Sequence, residues 1–213
     1  MRYIGNELNI IRKDLNACSL HGVLCFPDTY EIGMSNTGTQ ILYHLVNKHP
    51  EWALSRSFHP WIDAEQIMKE KHIPLFCLEY LKPISEAHWI GFTIQYELQY
   101  TNILNMIDMA GIPLDAEKRS LQHPFIIGGG PCVGNPEPLA RFFDAFVIGD
   151  GEEVLPKLCQ IMQDSKKNGL SKEETLLKFS SVGGVYCPKF QKPHFLDQPK
   201  ITSTHSNPTV CAA

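Results

Sequence analysis

Phe125-Ile126-Ile127-Gly128-Gly129-Gly130-Pro131 and Ala145-Phe146-Val147-Ile148-Gly149-Asp150-Gly151-Glu152-Glu153 decide the fold. Each stretch is a short apolar run that ends in a glycine turn and leads into a helical pattern. Runs of this length, bounded by turn residues, read as strands buried on both faces. Such strands belong to open parallel sheets, which bind ligands beyond the carboxyl ends of their strands. Both glycine turns therefore fall on one rim, where backbone without Cβ atoms lets a ligand come close.

Working outward, Trp89 to Gln95 reads as a buried central strand and Gly22 to Phe26 as the first strand. A weak strand follows near Leu54 to Phe58, and Pro74 to Leu78 reads as a small extra one. Pro27 to Asn36 reads as a polar loop. Thr37-Gly38-Thr39-Gln40 has capping-box spacing and starts a helix whose face is Ile41, Leu42, Leu45 and Val46. Asp63 caps a short helix running to about Glu70. Tyr100, Ile103, Leu104 and Ile107 mark another helical face, ended by Gly111 and Pro113. A short helix is expected around Pro138 to Phe142. Glu152 to Lys167 is the clearest helix, with acids at its start and Lys166-Lys167 at its end, as the helix dipole favours.

Ser171-Lys172-Glu173-Glu174 is a second capping box, and Gly184 to Pro188 reads as an edge strand. The whole is βαβ repeated about five times, an α/β, doubly wound sheet with right-handed crossovers. The expected divisions are an N-terminal extension (1–20), the α/β domain (21–168), a linking helix and edge strand (169–190) and an extended tail (191–213).

The 213 residues suffice for one full domain, and 43% apolar with 20% charged residues fits a globular core. A net charge of −4 offers nothing to nucleic acid or to an anionic membrane surface. No run approaches a membrane span, and Met1 to Glu7 does not read as a signal peptide, so a cytoplasmic location is expected. Seven widely spaced cysteines without a Cys-x-x-Cys read as scattered reduced thiols. The nine histidines show no metal-binding spacing.

The first turn, Pro27-Asp28-Thr29-Tyr30-Glu31, lacks the Gly-x-Gly-x-x-Gly of a dinucleotide site, and the chain has no P-loop. A phospho-receiver needs a phosphoacceptor after its third strand, which here ends in Thr93-Ile94-Gln95.

Several blocks, in order, carry a family resemblance. Arg2 to Asn9 and Phe26-Pro27-Asp28-Thr29-Tyr30-Glu31-Ile32-Gly33-Met34-Ser35-Asn36 resemble the start of a family of large radical SAM proteins. So do Gly91 to Leu98, Gly128-Gly129-Gly130-Pro131-Cys132, Asn135 to Leu139, and Phe143 to Glu153. These proteins begin with a cobalamin-binding-like, flavodoxin-like (Rossmann-like) domain and continue into a radical SAM barrel. The resemblance spans roughly Arg2 to Pro188.

The resemblance implies a corrin lying over the carboxyl rim, with its nucleotide tail entering beside the first strand. The first loop, Asp28 to Gly38 with Met34, Ser35 and Asn36, would border tail and corrin. Thr93, Gln95 and Tyr96 would face the tail. The turns Gly128, Gly129, Gly130 and Pro131, and Gly149, Asp150, Gly151 and Glu152, would let backbone approach it. Glycines make room, and hydroxyl or amide groups can bond the ligand's amides and phosphate.

Two departures matter. Cobalamin mutases and methionine synthase carry Asp-x-His-x-x-Gly, whose His ligates cobalt. Here Asp28-Thr29-Tyr30-Glu31-Ile32-Gly33 has no His. The radical SAM half needs Cys-x-x-x-Cys-x-x-Cys for its 4Fe-4S cluster and S-adenosylmethionine, and that motif does not occur. The expectation is an isolated or truncated N-terminal domain, without the radical SAM barrel that is its partner in cis in the family, and not catalytic alone. It either holds cobalamin or a degenerate form of that site, or serves as a docking module that binds no cofactor.

Among single residues, Cys132 reads as a small packed residue without a His partner. Glu152 and Glu153 read as acids of a first helical turn. Asp28 and Glu31 read as turn-stabilising carboxylates. Thr93 and Gln95 are the better candidates for ligand contact, because polar groups that end a buried strand need partners. Tyr96 and Tyr100 could stack on a ligand.

Overall fold

The computed structural model describes residues 5–191. Its sheet has the order β2-β1-β3-β4-β5-β6. The strands are β1 (Leu20–Phe26), β2 (Trp52–Phe58), β3 (Trp89–Thr93), β4 (Phe125–Gly129), β5 (Ala145–Val147) and β6 (Val185–Tyr186). The first five are parallel, and β6 adds an antiparallel edge. This is a doubly wound, flavodoxin-like sheet. The strand order reverses between β1 and β3, which is where such sheets open a crevice.

The helices are α1 (Tyr30–Ser35), α2 (Thr37–Asn47), α3 (Ile62–Glu70), α4 (Tyr100–Met109), α5 (Gly151–Lys167) and α6 (Lys172–Ser180). One face of the sheet packs α3 and α4 through Met68, Ile103, Met106 and Ile107 against Ile90, Phe92, Ile126 and Phe146. The other packs α2, α5 and α6 through Tyr43, Val46, Leu155, Leu158, Met162 and Phe179 against Leu20, Leu24, Trp89 and Ile127. Side chains alternate between these faces along each strand, as the pleat requires.

Four local readings need correction. The Pro27–Asn36 loop contains α1, because Gly33 lets the helix lie against Phe58: a Cβ there would stand 2.2 Å from the Phe58 ring. The cap of α2 is Asn36, not Thr37; its side chain accepts from the Thr39 N–H at 2.9 Å. Asp63 lies in the first turn of α3, whose N-cap is Trp61. The Pro74–Leu78 strand is an irregular cover with one bridge, Phe76 to Pro83.

That cover explains why the edge strand β2 is buried along its whole length. Leu78 N–H donates to Arg56 O at 2.8 Å, and Ser57 Oγ donates to Phe76 O at 2.9 Å. Arg56, fully buried, pairs with Glu79 at 2.8 Å and lies 4.0 Å over the Tyr43 ring. Strand edges in proteins are commonly blocked by such cover. The Ser171 capping box forms with Glu174. Residues 5–19 are strapped to the domain: Arg12 donates to Glu79 O and Gly5 O, and Lys13 Nζ to His49 O and Trp52 O. The expected extended tail, beyond Gln191, lies outside the described residues.

Candidate functional site

At the carboxyl ends of the strands, on the face carrying α2 and α5, the sheet opens into a cleft of about 570 Å³. That is within the range of small-molecule sites, roughly 300–1,000 Å³. The cleft exists because the strand residues beneath it are small or short. Gly91, Thr93 and Gly129 share the face that carries Leu24, Ile127 and Val147, and these six form the floor. The Trp89 indole closes the inner end, lying over Gly22, where a Cβ would stand 2.1 Å from the ring.

One wall is the start of α2, with Asn36, Gly38, Thr39 and Leu42. The opposite wall is the start of α5, with Gly149, Asp150, Gly151, Glu152 and Leu155. The turn after β4 supplies Gly130, Pro131, Val133 and Gly134. Gly130 has φ +112°, and a Cβ would lie 2.7 Å from Ile94 O, so no other residue fits without a shift. Gly129 and Gly149 have open space instead, since a Cβ at either would meet nothing within 4 Å, although Gly149, at φ +107°, still favours glycine by its backbone.

The polar groups are few. Thr93 is 8% exposed, and its Oγ1 has no hydrogen-bond partner among the described residues. A buried hydroxyl without a partner is unfavourable by about 1–3 kcal/mol, so one aligned with a cleft is suited to a ligand atom. Gln95 is held by its backbone N–H, which donates to Gln99 Oε1 at 2.9 Å. Asp150 is the N-cap of α5, and its side chain makes no capping hydrogen bond. Asp150 and Glu152 are the charged residues of the lining, and no base joins them. This acidic wall disfavours a polyphosphate and favours ligands rich in amide N–H donors.

Of the sixteen residues expected at the site, twelve line this cleft: Asn36, Gly38, Thr93, Gln95, Gly128, Gly129, Gly130, Pro131, Gly149, Asp150, Gly151 and Glu152. Gly128 contributes backbone only, since a Cβ there would point the other way, 2.7 Å from the Phe146 ring. Asp28, Met34, Ser35 and Tyr96 are not part of the lining. Asp28 accepts from the Tyr96 hydroxyl at 2.7 Å, joining the rims of β1 and β3, and this bond holds the Tyr96 phenol above its ordinary pKa. Met34 lies against Arg56, with Sδ 3.7 Å from Nη1, and Ser35 Oγ donates to Ile32 O.

Tyr30 occupies the position of the missing His. Its hydroxyl donates to Glu7 Oε1 at 2.9 Å, and its ring packs edge-on to Phe58. Burial, then the Glu7 bond, push its pKa up to about 12. Cys132 is half-buried beside the Tyr100 hydroxyl at 3.3 Å, outside the lining.

The sequence reading missed Gly91 and the apolar floor. An isolated glycine inside an apolar strand marks a close approach, and Gly91 carried that signal.

The family described as "Radical SAM proteins, N-terminal" matches residues 38–188. An uncharacterized protein of Methanocaldococcus jannaschii is 25% identical over 138 residues, covering 63% of this chain and 25% of that protein. The chain thus spans about a quarter of that relative's length. No solved structure matches the chain significantly. No helix among the described residues is long and apolar enough to cross a membrane.

Proposed function

The chain belongs to the N-terminal family of radical SAM proteins, and from that premise we propose that it holds cobalamin, with the nucleotide tail in the cleft between the sheet, α2 and α5. The observation that carries this reading is the pairing of open backbone at Gly129 and Gly149 with the unpartnered Thr93 hydroxyl beside them. The residues present fit the group. Gly129 and Gly149 leave room for a planar ring system against the strand ends. Thr93 offers a hydroxyl at depth, and Asn36 and Gln95 offer side-chain amides at the walls. Asp150 and Glu152 would accept from amide side chains of a corrin. The Asp28–Tyr96 pair would stand at the rim.

Cobalamin, when bound, supplies methyl-transfer or radical-assisting chemistry at cobalt. This chain's residues would bind and orient it, with no histidine offered from the first loop. The cluster, S-adenosylmethionine and the catalytic step are assigned to the radical SAM barrel of the family, which would be the partner of this domain.

The test is titration of the purified chain with hydroxocobalamin, followed by gel filtration. Co-elution of corrin with the protein supports the reading. A folded chain that elutes free of corrin rejects it for the isolated domain. A second reading, a docking module, draws on the apolar side chains of the same rim. Ile32, Trp61, Ile62, Leu98 and Ile148 are exposed there, Ile62 to 74% and Leu98 to 83%. Apolar groups so placed suit a covering domain. An empty cleft with these residues shielded by an added barrel would select that reading.

A further inference from the structure

The opposite end of the sheet carries a second groove, of about 440 Å³. It lies where β1, β3 and β4 begin, against the end of α5 and the start of α6. Here two hydrogen-bond donors meet head to head. His88 Nδ1 accepts the His21 backbone N–H at 2.9 Å. A backbone N–H can only donate, so the neutral His88 ring carries its proton on Nε2. Lys166 Nζ stands 2.7 Å from that same Nε2. An ammonium has donors and no acceptor, so the two N–H groups oppose one another. Burial, and then the Lys166 charge, hold the His88 pKa below its ordinary value, which keeps the ring neutral at pH 7.

The neighbours have the same character. Ser165, beside Lys166 on α5, is 3% exposed and lines the groove, and its Oγ has no hydrogen-bond partner among the described residues. Lys172 lines it from the start of α6. Asp144 lies 3.3 Å from both Lys172 and Arg119, so that buried trio retains one positive charge. Glu86 is the one carboxylate of the lining. The groove is therefore rich in donors and cations within a chain of net charge −4.

We propose that this groove binds a phosphate group, held by Lys166, the His88 Nε2–H, the Ser165 hydroxyl and Lys172. A phosphate oxygen that accepts from both Lys166 and His88, with the flexible lysine drawn aside, replaces two opposed donors with two hydrogen bonds, one of them charge-assisted. The same oxyanion gives Ser165 the acceptor it lacks among the described residues. The shared chemistry is the phosphate, whether free or carried on a nucleotide. The site is separate from the carboxyl-rim cleft and does not depend on cobalamin.

The test is a titration of ¹⁵N-labelled chain with inorganic phosphate and, separately, adenosine monophosphate, at constant ionic strength set with chloride. The imidazole ¹⁵N resonances of His88 report. A saturable Nε2 shift is expected, with affinity weakened about tenfold in Lys166→Gln. A stronger response to the nucleotide identifies a carried phosphate, and an equal or weaker one identifies the free ion; both uphold the site. Ser165→Ala leaves the charges intact and gives a second variant, expected to weaken binding, if Lys166→Gln does not fold. No saturable shift with either ligand, or unchanged affinity in the folded variants, overturns the proposal.

Discussion

Gly128 and Gly129 are neighbours on one strand and point to opposite faces of the sheet. A Cβ at Gly128 would stand 2.7 Å from the Phe146 ring, whereas one at Gly129 would meet nothing within 4 Å. On the α3/α4 face the glycine is there because the core is full. On the α2/α5 face it borders the cleft. Two glycines in one motif thus answer to different constraints, and a variant at each separates folding from binding. The same contrast runs along the carboxyl ends of the strands, which are packed on the α3/α4 face and open on the α2/α5 face.

The largest effect expected comes from charging a buried side chain of β1. His21 donates to or accepts from Ser55 Oγ at 2.8 Å and is 7% exposed. Burial, then His88 and Lys82, hold its pKa at about 4, against an ordinary 6.5. The folded state therefore favours the neutral ring. The stability this gives is full above pH 6.5 and is lost as the pH falls toward 4, by roughly 3 kcal/mol. Urea denaturation at pH 7, 5.5 and 4 should show that loss, and His21→Gln should flatten it. An unchanged slope in the variant would mean that other groups dominate acid sensitivity.

Next is Gly128→Val, which overfills the closed face and should cost about 1–3 kcal/mol, read as a lower denaturation midpoint. Stability equal to the parent would show that the Phe143–Phe146 stack yields easily and would break the contrast. The smallest stability change is expected for Gly129→Ala, within about 0.5 kcal/mol, since its Cβ enters open space. Gly129→Val should leave the fold in place by circular dichroism and still abolish corrin binding. A variant that binds as well as the parent would move the site away from Gly129.

The fold was largely legible because its strands are buried on both faces and so appear as apolar runs, as at Phe125, Ala145 and Trp89. The glycine turns at Gly130 and Gly149 were legible for a local reason, since both adopt positive φ. Less legible was whatever depends on distant partners. Helix α1 is a short stretch without clear periodicity, whose place is set by Gly33 against Phe58. The length of β2, with Ser55, Arg56 and Ser57 in it, is explained only by the cover that brings Glu79 and Phe76 to it. The floor of the cleft was missed for the same reason: Leu24, Ile127 and Val147 look like ordinary core until the sheet brings them together beside Gly91.

The central claim is that the cleft receives the nucleotide tail, and the most direct measurement compares cobalamin with cobinamide, the corrin that lacks this tail. Both are titrated into the chain and followed by visible spectra. Saturable cobalamin binding below about 100 μM, at least about tenfold tighter than cobinamide and with a spectrum showing the benzimidazole displaced from cobalt, is the result predicted. Equal affinity for the two corrins, or no saturable binding of cobalamin, would contradict it.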